Sequence, residues 1–400
     1  MQKLSKLPLL FLCAASLMGL LLRWHQYAPV EGLIFPYWLH AHSHVMFLGW
    51  IINALCIGYV HYFIPHQRQR TYRILIIVLN VLVAIMLVAF PLQGYAGFSI
   101  IISTLYTVLA AIFGYVFLRD TYSRRKLLAI GFARWSFIFY FIASLAPFAI
   151  GLLSATGRGQ TQAYYLAVYF FLHFLYNGAF TCGILGLIYQ LLQTKGIELD
   201  EESAQRFKSL LCVSCIPAYV LSTLWVQPPL VYNIIGFIAA ILQLVAFYYF
   251  ICSVKVLFTK ELKRFSWPAR ALLFVAIACF LLKLVLQLIS AFPSAAMLAY
   301  EVRYFVIAYL HLVLLGMLTF LLLFWYQEAF QVSLLAPIRT VVLLLSFILS
   351  EVVMLLIPLV NTAIDLHLVL VFLSAIIFFS FTWFFISFSR TSPEVLPNHS

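Results

Sequence analysis

The sequence predicts an all-α, polytopic membrane bundle of about twelve transmembrane helices. Three observations carry that expectation. The 400 residues are 65% hydrophobic and only 9% charged, where soluble domains carry roughly a quarter charged residues. Apolar stretches of about twenty residues recur along the whole chain, each long enough to cross a bilayer at a helical rise of about 1.5 Å per residue. Lysine and arginine gather in alternate connections between those stretches, as they do in cytoplasmic loops. Together these exclude a soluble domain, a disordered chain and a secreted disulfide scaffold. The formal charge of +12 is then a matter of topology rather than of nucleic-acid binding.

Spans are expected near residues 7–24, 38–63, 71–92, 95–118, 131–155, 163–192, 208–226, 229–254, 268–292, 302–327, 336–359 and 362–388, forming a single membrane domain over 1–400. Lys3 and Lys6 precede the first stretch as in a signal peptide, but no small-residue cleavage site follows, so it counts as a span. With the N-terminus inside, all 24 basic residues fall on the inner side except Arg23, Arg158 and Arg303, which lie near the outer side, and Lys283, which lies within the ninth span. Both termini are therefore expected in the cytoplasm, with the chain in the inner (cytoplasmic) membrane. The acidic stretch 198–202 and the basic stretch 260–270 read as extended loops, and no short internal repeat is evident.

Histidines supply the first chemical clue. His40, His42 and His44 open the second span, His173 enters the sixth and His311 the tenth. In this topology all lie in one outer layer, with His42 about 6 Å below Trp38, His173 roughly 15 Å below the start of the sixth span and His311 roughly 12 Å below Arg303. Ionisable groups facing lipid are costly, so these imidazoles are expected to face protein, as interhelical hydrogen-bonding residues or as ligands to a metal or heme. On one helix His42 points away from His40 and His44, which share a face. An i, i+4 pair suits a metal, whereas a lone histidine joined by another from a distant span suits a six-coordinate heme.

Ala41-His42-Ser43-His44-Val45-Met46, with Gly58 and Pro65 downstream, resembles the A-H-x-x-V-M stretch of heme-copper oxidase subunit I. The segment is most similar to the C-type (cbb-type) oxidases through His42 and Asn53-Ala54-Leu55. His173 followed by Thr181, Gly183, Leu185, Gly186 and Tyr189 is similar in spacing to the helix after the first copper-ligand histidine of that family. Tyr309-Leu310-His311 with Leu315-Gly316 resembles its H-x-H followed by L-G. The resemblance implies a subunit I-like bundle in which His42 and His311 are axial ligands of a low-spin heme b. The histidine that would hold a high-spin heme is Tyr309 here. The copper-binding His-His pair of the seventh span reads Leu221-Ser222, which leaves His173 as a possible second-metal ligand with too few companions to hold copper tightly. The resemblance also implies a cytochrome or quinol electron donor and further membrane subunits as partners.

Other residues carry two readings each. Arg303, about two helical turns from His311, suits a heme propionate or an interfacial anchor, and Glu301 beside it is expected to balance its charge. Lys283, Gln287 and Ser290 form a polar stripe on the ninth span, a proton path or interhelical hydrogen bonding. Glu351 inside the eleventh span has no sequence-local cation and is the strongest proton-site candidate. Tyr176 and Asn177 share the face of His173, and Tyr176 with Tyr309 completes the candidate catalytic set. Cys212 and Cys215 lie in an apolar span and read as core. No phosphate loop, Ser-His-Asp set or nucleic-acid motif is present. The function these features favour is electron transfer or redox and gas sensing through a bis-His heme. Two alternatives stay open. One is a divergent terminal oxidase or nitric oxide reductase with an unusual second metal site, including the NnrS-type membrane proteins, to which the second span is also similar. The other is a cofactor-free transporter.

Overall fold

The computed structural model describes residues 3–332, 336–360 and 364–390. Among these, regular structure is entirely helical, and twelve helices are long and apolar enough to cross a membrane. The chain is a multi-pass helical membrane protein. Helices α1 (Lys6–Tyr27), α2 (Phe35–Phe63), α3 (His66–Gln93), α4 (Gly97–Asp120), α5 (Leu128–Ala155) and α6 (Gln162–Thr194) are followed by α7 (Glu201–Val226), α8 (Val231–Ser253), α9 (Trp267–Ile289), α10 (Arg303–Ala329), α11 (Pro337–Leu356) and α12 (Leu366–Arg390). A short helix, Pro293–Glu301, joins α9 to α10. Bounds agree with the expected spans to within a few residues except at the seventh. There the acidic stretch expected as a loop already starts a helix, because the Asp200 side chain caps α7 at the Ser203 amide and Glu201 and Glu202 favour its positive end. The basic stretch 260–270 is likewise partly helical, with a π-helical Leu257–Glu261, a 3-10 turn Leu262–Arg264 and α9 from Trp267.

The chain packs as two compact units. One comprises residues 1–117, 266–272 and 322–400 and holds α1–α4, α11, α12 and the ends of α9 and α10. Within it α1 packs along α12, and Lys6 donates to the Ser389 carbonyl at 3.0 Å. The second comprises residues 118–265 and 273–321 and holds α5–α8 with the remainder of α9 and α10. Within it α7 lies along α8 and α5 along α6, with Phe132 stacked on Tyr189 at 5.5 Å.

Three helices differ from the rest. The most apolar windows of α2, α6 and α10 are 83%, 89% and 67% buried, whereas every other membrane helix is 33–44% buried and shows a broad apolar face such as lipid would cover. Each of these three also carries an eight-residue π-helical segment, Val45–Ile52, His173–Phe180 and Leu312–Thr319. Long π segments are rare and concentrate at functional sites. The wider turn is braced where Thr181 donates to the Tyr176 carbonyl at 2.7 Å and Thr319 to Leu314 at 2.8 Å, both five residues back. A spacing also recurs at the three segments: His44, His173 and His311 are each followed five residues later by glycine, at Gly49, Gly178 and Gly316. The same His-x4-Gly spacing thus accompanies each eight-residue π segment.

The glycines have a packing reason. A Cβ on Gly49 would stand 2.7 Å from the Phe11 ring of α1, and one on Gly178 would stand 2.6 Å from the Phe139 ring of α5. Gly178→Val is therefore expected to cost about 1–3 kcal/mol or more through overpacking, read as a lowered thermal midpoint of the purified protein in detergent. A midpoint equal to wild type would contradict this packing. The α7 cap gives a pH-dependent expectation. The Ser203 hydroxyl and amide hold the Asp200 carboxyl below its usual range. The capping contribution is then present at neutral pH and is lost as pH falls through that lowered value. The stability advantage of wild type over Asp200→Ala should shrink in acid, which thermal melts across pH 3–7, roughly the carboxylate range and above, would measure.

Candidate functional site

The second helix divides its histidines between two faces, as its spacing requires. The His42 ring turns to α1, where its Nδ1 lies 2.8 Å from the Ala15 carbonyl. A carbonyl can only accept, so Nδ1 carries the proton and Nε2 keeps the lone pair. The ring lies flat enough on α1 that a Cβ on Gly19 would stand 3.1 Å from its Cε1, so Gly19 supplies the room for it. Nε2 has no hydrogen-bond partner among the described residues, and the side chain is only half-buried on a helix that is otherwise sheathed by protein. An imidazole tethered by Nδ1–H to a carbonyl with Nε2 open is the arrangement that metal-ligating histidines adopt.

His44 is committed differently. Its Nδ1 donates to the His40 carbonyl at 2.8 Å, and its Nε2 accepts from the Tyr95 hydroxyl at 3.1 Å. The ring leans on Phe90, and the His40 ring meets Tyr95 edge-on at 4.5 Å. Gly94 makes this possible. It ends α3 at φ +60, where a side chain would be strained and would also strike Tyr37, and so delivers Tyr95 to the histidines. The i, i+4 pair His40 and His44 thus meets tyrosine rather than presenting two open nitrogens to one ion. Among the described residues no three His, Cys, Asp or Glu side chains are grouped to hold a metal ion.

Also in this first unit, Arg23 lies two turns along α1 from Ala15. Its guanidinium contacts the Met354 sulfur at 2.7 Å, and its charge reaches both His42 and Glu351. Arg23 is the distant cation that the sequence around Glu351 did not show.

In the second unit His173 is 1% exposed and fully engaged. Its Nε2 donates to the Cys215 carbonyl at 2.8 Å, and its Nδ1 accepts from the Asn177 amide at 3.2 Å. The Tyr176 and Tyr309 rings meet edge-on at 6.4 Å, so this part of the expected catalytic set is brought together. The α7 residue beside His173 is Cys215, whereas Leu221, at the position matched to the copper ligands, lies in a 3-10 stretch and packs on Gly236 of α8. Lys283 is buried on α9 with its ammonium 5.7 Å from the Phe280 ring and its charge felt by His173, Cys182 and Cys215. Gln287 is buried beside it in sequence, with Oε1 unpartnered, and Ser290 donates to the Gln287 carbonyl. His311 is half-buried where α10 passes into its π segment, Arg303 is exposed at the start of that helix, and Glu301 is exposed at the end of the short helix before it.

Two features escaped the sequence reading. Cys212 and Cys215, taken as core, adjoin Cys182, His173 and Lys283 in space, which only the pairing of α6 with α7 reveals. The His-x4-Gly recurrence was visible as letters but was obscured by the surrounding leucine, valine and phenylalanine. No family model matches the sequence, and no curated protein matches it at a significant level.

Asn177→Leu would leave the Nδ1 of a buried imidazole unpaired, costing about 1–3 kcal/mol. Tyr95→Phe, at the more exposed His44, should cost about 0.5–1.5 kcal/mol. Denaturation midpoints of the two variants test that order, and equal or reversed losses would contradict the assigned partners.

Proposed function

We propose that the chain is a heme b-binding membrane protein related to heme-copper oxidase subunit I, in which His42 and His311 hold one low-spin heme for electron transfer or for redox and gas sensing. The observation that carries the reading is the state of His42, with Nδ1–H tied to the Ala15 carbonyl, the ring seated over Gly19 and Nε2 open. That is the tautomer an axial ligand needs, and Ala15 would keep the ring oriented and its ligating nitrogen basic. The residues therefore fit the group on the His42 side. Support for His311 comes from the resemblance and from its place at the head of the α10 π segment, the same place His44 occupies on α2. Held by His42 and His311, the heme would supply one-electron redox chemistry.

The remaining assignments follow from the chain's own groups. Arg303 offers a guanidinium for a propionate about two turns before His311. The bias of basic residues supports an inner-membrane protein with cytoplasmic termini and the histidine layer towards the outer side. A cytochrome or quinol would serve as donor. Electron transfer or sensing is preferred to dioxygen reduction because the second-site histidine, His173, has both nitrogens committed to Cys215 and Asn177. A metal there would have to displace one of those bonds.

The test is a reduced-minus-oxidised spectrum of protein produced with ample heme. His42→Ala and His311→Ala should each abolish the b-type bands, while His44→Ala should retain them. Bands that persist in His42→Ala, or that disappear in His44→Ala alone, would overturn the assignment of ligands.

A further inference from the structure

Within the second unit, α6, α7 and α9 bring three thiols and one amine together. The sulfurs of Cys182 on α6 and Cys212 on α7 touch at 3.7 Å. Cys215, one turn on from Cys212, lies 3.9 Å by its sulfur from the His173 Nε2. All three cysteines are unbonded and at most 2% exposed. Packing alone would explain the thiols, since a buried cysteine behaves as a small hydrophobe. It does not explain Lys283. This side chain is 1% exposed, has no hydrogen bond or carboxylate partner among the described residues, and lies in the neighbourhood of Cys182 and Cys215. A buried cation in a membrane helix is costly and marks function when no anion answers it, and the Phe280 ring 5.7 Å from the ammonium carries no charge. Here the groups within its field that can acquire a negative charge are thiols.

We propose that Cys182 and Cys212 form a redox-active dithiol, activated by Lys283, that exchanges two electrons with a lipid-soluble oxidant of the quinone class. The thiolate is the reactive form of cysteine, and a neighbouring ammonium favours it. The two sulfurs need to close from contact distance to about 2.05 Å, the length of a disulfide. In the reaction both S–H bonds break and one S–S bond forms. The two protons and two electrons released pass to the quinone, which leaves as quinol, so atoms and electrons balance. An apolar oxidant is required because the thiols are sealed within the membrane helices. Val213 and Ile216, the next residues along α7 after Cys212 and Cys215, are exposed apolar side chains, so the buried thiols lie next to the surface that α7 presents to lipid. The site is independent of the heme reading, and its test does not use a heme signal.

The experiment uses the full-length protein, reduced and reconstituted in lipid nanodiscs, with tetramethylbenzoquinone as the probe because it has no open ring position for a thiol to add to. After exposure the protein is denatured, alkylated and analysed by intact mass and peptide mapping. The expected result is the loss of two of the seven alkylatable thiols, with the α6 and α7 peptides joined through Cys182 and Cys212. Cys182→Ser should abolish that link, and Cys215→Ser should keep it. Lys283→Met should slow its formation by about tenfold or more, in line with the smaller thiolate fraction. Seven alkylated thiols after quinone treatment, or a link between another pair, would overturn the proposal. An unchanged rate in Lys283→Met would overturn the role of the lysine.

Discussion

A polar side chain inside a bilayer must find its partner in protein, because the hydrocarbon offers none. The arrangement of this chain follows from that constraint. Among the described residues nine of twelve membrane helices keep a broad apolar face, and α2, α6 and α10, which carry His42, His173 and His311, are the three most sheathed by protein. On those helices the backbone itself departs from α geometry for eight residues at or just after a histidine. A π segment shifts the side chains beyond it around the helix and lets large rings such as Phe11 and Phe139 settle on Gly49 and Gly178. Burial, wide turns and close glycines are therefore linked consequences of placing imidazoles within a membrane.

The same constraint separates the histidines by what answers them. His44 and His173 have both nitrogens satisfied by neighbours, which makes them framework residues that pin α2 to the α3–α4 connection and α6 to α7. His42 is satisfied at one nitrogen only. An imidazole anchored on one side and open on the other is the group most ready to take a ligand, and the proposed heme answers that need. Lys283 poses the same problem in the second unit, and the thiols around it are the groups that can meet it. Each unit thus contains a group of reactive chemistry that its hydrogen bonds leave open, His42 in the first and Lys283 in the second.

Much of this was legible in the sequence. Hydropathy located the helices because length and composition alone decide what can span a bilayer, and helical spacing put His42 on the face opposite His40 and His44. The start of α7 was missed because acidic residues that look like a loop are also what caps a helix, as Asp200 does. The cation whose charge reaches Glu351 was missed because Arg23 lies on a helix remote in sequence. The thiol cluster was missed for the same reason: C-x-x-C on an apolar span reads as core until α6 brings Cys182 to Cys212. What the sequence concealed were contacts between distant helices, which local pattern cannot encode.

The central proposal is that one bis-His heme is held by His42 and His311, with no second metal center. The stoichiometry of heme and metals in protein purified after heme-replete expression tests it most directly. The account predicts one heme b per chain without stoichiometric copper or additional iron. A colourless protein, or one with two hemes or one heme plus a stoichiometric second metal, would contradict it.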